Sequence, residues 1–132
     1  HRDLHSFPTR RSSDLNIGGL YDVPHGEANS IILPYTMRFN LDASADRQVL
    51  IAQAMGIDTS NMTNEDAGLA AAHGVSQLCQ KLGLPMRLRD VGVPEEGLEF
   101  IAAATLHDRG LATNPKQITD AGPIMSVLRD AW

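Results

Sequence analysis

Five histidines, one cysteine and a scatter of carboxylates carry whatever metal-binding, proton-moving or nucleophilic chemistry this 132-residue chain has. His25 sits in Pro24-His25-Gly26, just ahead of a helical pattern and in a stretch stiffened by Pro24. An imidazole so placed can be aimed into a cleft as a ligand, or can serve only to stabilise a turn. Glu27, two residues on, is within reach of a base role, but a first-turn acid facing the positive helix end is the simpler reading. His73 follows Ala70-Ala71-Ala72 and reads as a helix-surface or interface histidine. His107 falls near a predicted helix C-terminus, where the dipole favours it. The lone Cys79 excludes an internal disulfide framework and any cysteine-built zinc or iron–sulfur centre. It is expected to be a small buried hydrophobe in a chain suited to a reducing cytosol.

The elements that must position these groups read as helices. Residues 16–24 are expected to be loop-like, with Gly18-Gly19 and Asp22-Val23-Pro24 as turn punctuation. From Gly26, the residues Ala28, Ile31, Ile32, Tyr35 and Phe39 repeat at three- and four-residue steps, with Pro34 predicting a kink and Asn40 a C-cap. A second helix is expected from about Ala45 to Met55, N-capped by Ser44 and stopped by Gly56. Thr63-Asn64-Glu65-Asp66 resembles a capping box, opening a third helix with the stripe Ala71, Val75, Leu78, Leu82 and a stop at Gly83 and Pro85. Pro94-Glu95-Glu96 opens a fourth, striped by Leu98, Ile101, Thr105 and Leu106. A loop over 109–116 precedes a fifth, capped by Thr119 and Asp120, with Ile124, Val127, Leu128 and Ala131 inward. No alternating run longer than four residues suggests a strand. The predicted fold class is all-α, about five helices with short connections.

Composition narrows the function classes. A formal net charge of −5 argues against a nucleic-acid partner, which would call for a basic face. No apolar run approaches the roughly 18 residues of a membrane span.

Residues 1–15, HRDLHSFPTRRSSDL, differ in character from all that follows. They show neither period and lack the apolar centre of a secretory signal. They resemble, codon by codon, a translation of a widely used short-read sequencing adapter. Native sequence is therefore expected from Asn16. His1 and His5 leave the ligand inventory, and Arg10-Arg11 is no phosphate site.

The segment from Gly18 to Asn40, GGLYDVPHGEANSIILPYTMRFN, resembles the iron-containing alcohol dehydrogenases, at the point where their C-terminal domain opens. Pro24-His25-Gly26 alone would be weak. With Ala28-Asn29, Leu33-Pro34 and Arg38-Phe39-Asn40 at these spacings it is strong. Leu84-Pro85, Leu88, Val91-Gly92-Val93-Pro94 and Thr113-Asn114-Pro115-Lys116 follow in the family's order, so the resemblance covers residues 16–132, and Trp132 looks like a native C-terminus.

The resemblance implies the C-terminal helical domain of a dehydroquinate synthase-like, two-domain protein, whose N-terminal nucleotide-binding domain lies upstream of this chain. One aspartate and three histidines hold the metal in such proteins, and the last histidine maps onto His25. The aspartate and first histidine would lie upstream. The middle histidine would align at Arg11, and a further histidine near the site at Leu15, both within the adapter-like stretch. Implied cofactors of the intact parent are Fe2+, or Zn2+ in its place, and NAD(P). The implied reaction is reversible alcohol oxidation, with the metal polarising the substrate oxygen and hydride passing to the nicotinamide. The expected partner is a small alcohol or aldehyde, in a cytoplasmic homo-oligomer. The loop over 109–114 would approach the cleft. By itself the chain is expected to be inactive. Two other readings stay open: a maleylacetate reductase-like relative, and a non-catalytic helical interaction module.

Overall fold

The computed structural model describes residue 17 and residues 19–132; the adapter-like stretch, with His1, His5 and Arg10-Arg11, lies outside them. Among the described residues, a helical stretch that ends at Tyr21 is followed by α1 His25–Phe39, α2 Leu41–Ala54, α3 Asn64–Lys81, α4 Leu98–Leu106 and α5 Gly122–Ala131. Short 3-10 turns at Leu88–Val91, Glu95–Gly97 and Arg109–Thr113 link the later helices. No strand occurs among the described residues, as the sequence predicts.

α1 is the spine, packing against α2 and α3 on one side and α5 on the other, with α4 against α5. Its two flanks face two apolar clusters. Ile17, Val23, Ala28, Ile31, Ile32, Leu88, Leu98, Ile101, Ile124 and Leu128 belong to one; Met37, Ala52, Ala67, Ala71 and Ala72 make the other. Ile124, Val127, Leu128 and Ala131 of α5 are all buried, as their spacing predicts. Burial of such side chains stabilises by about 1.5–3 kcal/mol each for the larger ones.

Several expectations are corrected. Residues 19–21 are helical and Ile17 is fully buried, where a loop was expected. Ile17 and Tyr21 stand four apart and both pack on the first cluster, so tertiary burial overrides the glycine signal. The turn at Asp22 is real, with φ 55°. Pro34 lies inside α1, as the spacing predicts. Leu41–Ala54 joins two helical pieces across Ser44, whose backbone is non-helical (φ −142°), so the regular helix of α2 starts at Ala45 as expected, with a short turn from Leu41 added ahead of it. Ser44 Oγ does not cap a backbone N–H: it donates back to the Asn40 carbonyl at 2.7 Å and accepts Gln48 Nε2 at 3.0 Å.

On α3 the Thr63 cap is as expected, accepting the Asp66 N–H at 3.1 Å. The inward face is as expected only in part: Ala71 is buried and Val75 packs on the second cluster. The face is made of Ala67, Gly68, Ala71, Ala72 and Cys79, while Leu78 and Leu82 are 53% and 66% exposed. Small residues let α2 and α3 approach closely, and a Cβ on Gly68 would overlap Leu41 Cδ1. The bulky residues therefore do not mark the buried stripe here. Gly83 (φ 72°) ends α3 with Leu84 N–H bonded to the Cys79 carbonyl at 3.1 Å and Gly83 N–H to that of Gln80, a Schellman close. α4 starts at Leu98, after a 3-10 turn that takes up Glu95 and Glu96. Ahead of α5, Asp120 accepts the Gly122 N–H at 2.8 Å, whereas the N-cap position itself is Ala121.

Candidate functional site

The head of α1 is built by its backbone. Asp22 turns the chain in the left-handed region, Val23 is buried as an anchor, and Pro24 takes the N-cap position at φ −53°, ψ 136°. The Pro24 carbonyl accepts the N–H groups of Glu27 and Ala28, each at 3.0 Å, which closes the first turn. His25 is thus the first residue of the spine helix. Glu27 lies in the same first turn, the acid position the sequence predicts. Ser30 Oγ binds back to the Glu27 carbonyl at 2.8 Å.

The other histidines lie elsewhere. His73 is exposed on α3, beside Met55, Ile57, Gly74 and Leu78. His107 is the exposed C-cap of α4. Among the described residues no three His, Cys, Asp or Glu side chains gather into a set that could hold a metal ion. The described residues therefore do not form a metal centre by themselves.

The tail of α1 carries a polar cluster that the sequence reading did not resolve. The last carbonyls of a helix lack backbone partners and need others. The Thr36 carbonyl takes the Asn40 N–H at 3.0 Å. The Met37 carbonyl takes Gln48 Nε2 at 2.8 Å, and the Phe39 carbonyl takes Lys116 Nζ at 3.3 Å. Lys116 also pairs with Asp42 at 3.3 Å and stands 4.5 Å over the Phe39 ring. Asn40 Oδ1 accepts from Asn114 Nδ2 at 2.9 Å, and Asn114 Nδ2 also donates to the Lys116 carbonyl at 2.7 Å. Asn40, Gln48 and Asn114 are all buried. Each keeps one polar atom without a protein partner: Asn40 Nδ2, Gln48 Oε1 and Asn114 Oδ1. The motif Thr113-Asn114-Pro115-Lys116 and the C-cap Asn40 were visible in the sequence, but their meeting across 74 residues was not.

Cys79 is 7% exposed, with its thiol pushed above the ordinary value by burial. Its expected role as a small buried hydrophobe fits. No described helix is long and apolar enough to cross a membrane.

Comparison with known proteins places this geometry. Residues 13–132 match the sequence profile of the Fe-containing alcohol dehydrogenase family, C-terminal. A 1,3-propanediol dehydrogenase of Citrobacter freundii is 39% identical over 116 residues, covering 88% of this chain and 30% of that protein. A lactaldehyde reductase of Escherichia coli K12 is 38% identical with the same coverage. A solved 1,3-propanediol oxidoreductase superposes with a TM-score of 0.89 at 32% identity, covering 94% of this chain and 32% of that one. The chain spans about 30% of the length of these curated relatives. A spine helix headed by Pro24-His25-Gly26, an all-helical set of described residues and a match over nearly all the sequence put the chain in the Fe-containing alcohol dehydrogenase family, as a C-terminal helical part.

Proposed function

We propose that this chain is the helical part of a metal-dependent, NAD(P)-linked alcohol dehydrogenase, and that His25 is one of the parent's metal ligands. The observation that carries the reading is the family match over residues 13–132, with His25 fixed as the first residue of the spine helix. Imidazole suits ferrous iron or zinc, and a bound ion would supply Lewis acidity toward an alcohol or aldehyde oxygen. One imidazole holds such an ion weakly, so the working site belongs to the complete parent, with NAD(P) held upstream. Residues 1–15 are read as adapter-derived, which resequencing across the Leu15/Asn16 junction checks.

The test is expression of the parent gene recovered from the source DNA. Alcohol-dependent NAD(P) reduction, lost on chelation and in His25→Ala, is expected. A parent that keeps its metal and activity in His25→Ala overturns the ligand assignment. Purified 16–132 is expected to show no NAD(P)-linked alcohol oxidation, and measurable turnover would refute that.

A second reading has one observation in its favour. A maleylacetate reductase of Pseudomonas knackmussii is 30% identical over 116 residues. Recovering the upstream residues and assaying the parent on maleylacetate against simple alcohols separates the two. Family membership argues against the interaction-module reading.

A further inference from the structure

We propose that Lys116 and Asn114 are positioning residues for the head of α1: they grip the tail of the spine helix and so set the aim of His25. The proposal rests on the reading of His25 as a metal ligand.

The argument starts from what fixes a helix in place. Apolar burial decides which face of α1 turns inward, but it is non-directional. Rotation and sliding are fixed more finely by hydrogen bonds, whose geometry is narrow. The described side-chain bonds reaching α1 from other elements concentrate at its tail. Gln48 reaches Met37, Lys116 reaches Phe39 and Asn114 reaches the capping Asn40. Two of these three come from one short segment, 114–116, tied to itself by the Asn114 bond to the Lys116 carbonyl.

The remaining question is whether a tail contact can matter at the head. α1 has 15 residues, which at about 1.5 Å of rise each puts its ends roughly 22 Å apart. Pro34 removes one backbone rung between them, yet α1 keeps helical backbone throughout. The carbonyl that this rung leaves open, Ser30, accepts from Cys79 Sγ, and Thr36 Oγ1 bonds back to the Ile32 carbonyl just beyond it. Head and tail therefore turn together. A side chain reaches about 5–6 Å from the helix axis, so a rotation of about 10° moves its tip by about 1 Å. A functional constellation tolerates about 0.5 Å, and a 1 Å misplacement can cost on the order of 100-fold in rate. A loosened tail is large enough to be felt at His25.

The experiment uses the complete parent enzyme carrying Lys116→Met, Lys116→Arg, Asn114→Leu or His25→Ala. Lys116 is half-exposed, so its variants should fold, and circular dichroism checks each one. Ferrous-ion affinity by titration, kcat and KM are measured for each. Lys116→Met and Asn114→Leu are expected to weaken ferrous-ion binding about 10-fold and to lower kcat more than they change KM, in the range of outer-sphere metal-site variants. Lys116→Arg keeps a cationic donor and should recover most of the loss. If His25→Ala loses the metal while Lys116→Met folds and keeps wild-type affinity and kcat, the positioning role is wrong and the ligand reading stands. If His25→Ala keeps the metal, the ligand reading fails and this proposal falls with it.

Discussion

The Cys79 thiol on α3 donates to the Ser30 carbonyl of α1 at 3.9 Å, on the rung where Pro34 leaves no backbone N–H to bond it. Sequence puts the two residues 49 positions apart. The proline and the cysteine, each unremarkable alone, are therefore linked. Cys79→Ala removes the donor and a small buried volume, and should cost about 1 kcal/mol in chemical unfolding. Unchanged stability would show that the Ser30 carbonyl manages without it.

The same thiol gives a pH prediction. Burial raises its folded-state pKa. The folded protein then holds the proton more tightly than the unfolded chain, so the stabilising contribution is present below the unfolded thiol pKa of about 8.5 and is lost as pH rises through the folded value. Cys79→Ala should flatten the alkaline limb of a stability–pH curve. Thiol reagents at neutral pH should label native Cys79 slowly and unfolded chain fast. Equal rates would contradict the burial.

Asp58 behaves in the opposite sense. The Ser60 hydroxyl, and then the Ser60 N–H, bond its carboxylate at 2.7 and 3.0 Å and hold its pKa below the ordinary value. That preference acts above the unfolded pKa and is lost as pH falls through the folded one. An NMR titration should find Asp58 depressed, and Ser60→Ala should return it toward the usual range.

Asn114 is buried with Asn40, and their shared bond leaves a donor on one and an acceptor on the other. Asn114→Ala should destabilise by about 1–3 kcal/mol, because Asn40 Oδ1 loses its donor out of reach of solvent. Denaturant midpoints of the two forms check it; a difference within error would mean the node carries no weight.

Gly97 faces the Tyr21 ring, and a Cβ there would lie 2.6 Å from Tyr21 Cζ. A ring cannot yield by bending its end, so Gly97→Ala should cost about 1–3 kcal/mol by overpacking. Adding Tyr21→Leu should recover part of that loss, and additive losses would place the strain elsewhere.

Much of this was legible in the residues, for local reasons. Thr63, Gly56 and Gly83 act through bonds or backbone turns within a few residues of themselves, so the helix limits they set could be read directly. The α5 stripe could be read because its inward residues are bulky. The α3 face could not. Its inward residues are alanine and glycine, chosen for closeness to α2, while Leu78 and Leu82 point outward. Ser44 marks the start of the regular α2 helix as its type suggests, but its hydroxyl is turned to Asn40 and Gln48 rather than to a backbone N–H.

For the candidate site, sequence alone determined which residue opens the spine helix. Pro24-His25-Gly26 places a histidine at the start of α1, since a proline, a turn and a helix start are short-range facts. Tertiary structure alone decided what holds the other end. Asn40, Gln48, Asn114 and Lys116 come from three separate segments, and no local pattern encodes their meeting. It arises because buried carbonyls at a helix end must find donors, and the packed fold puts these within reach.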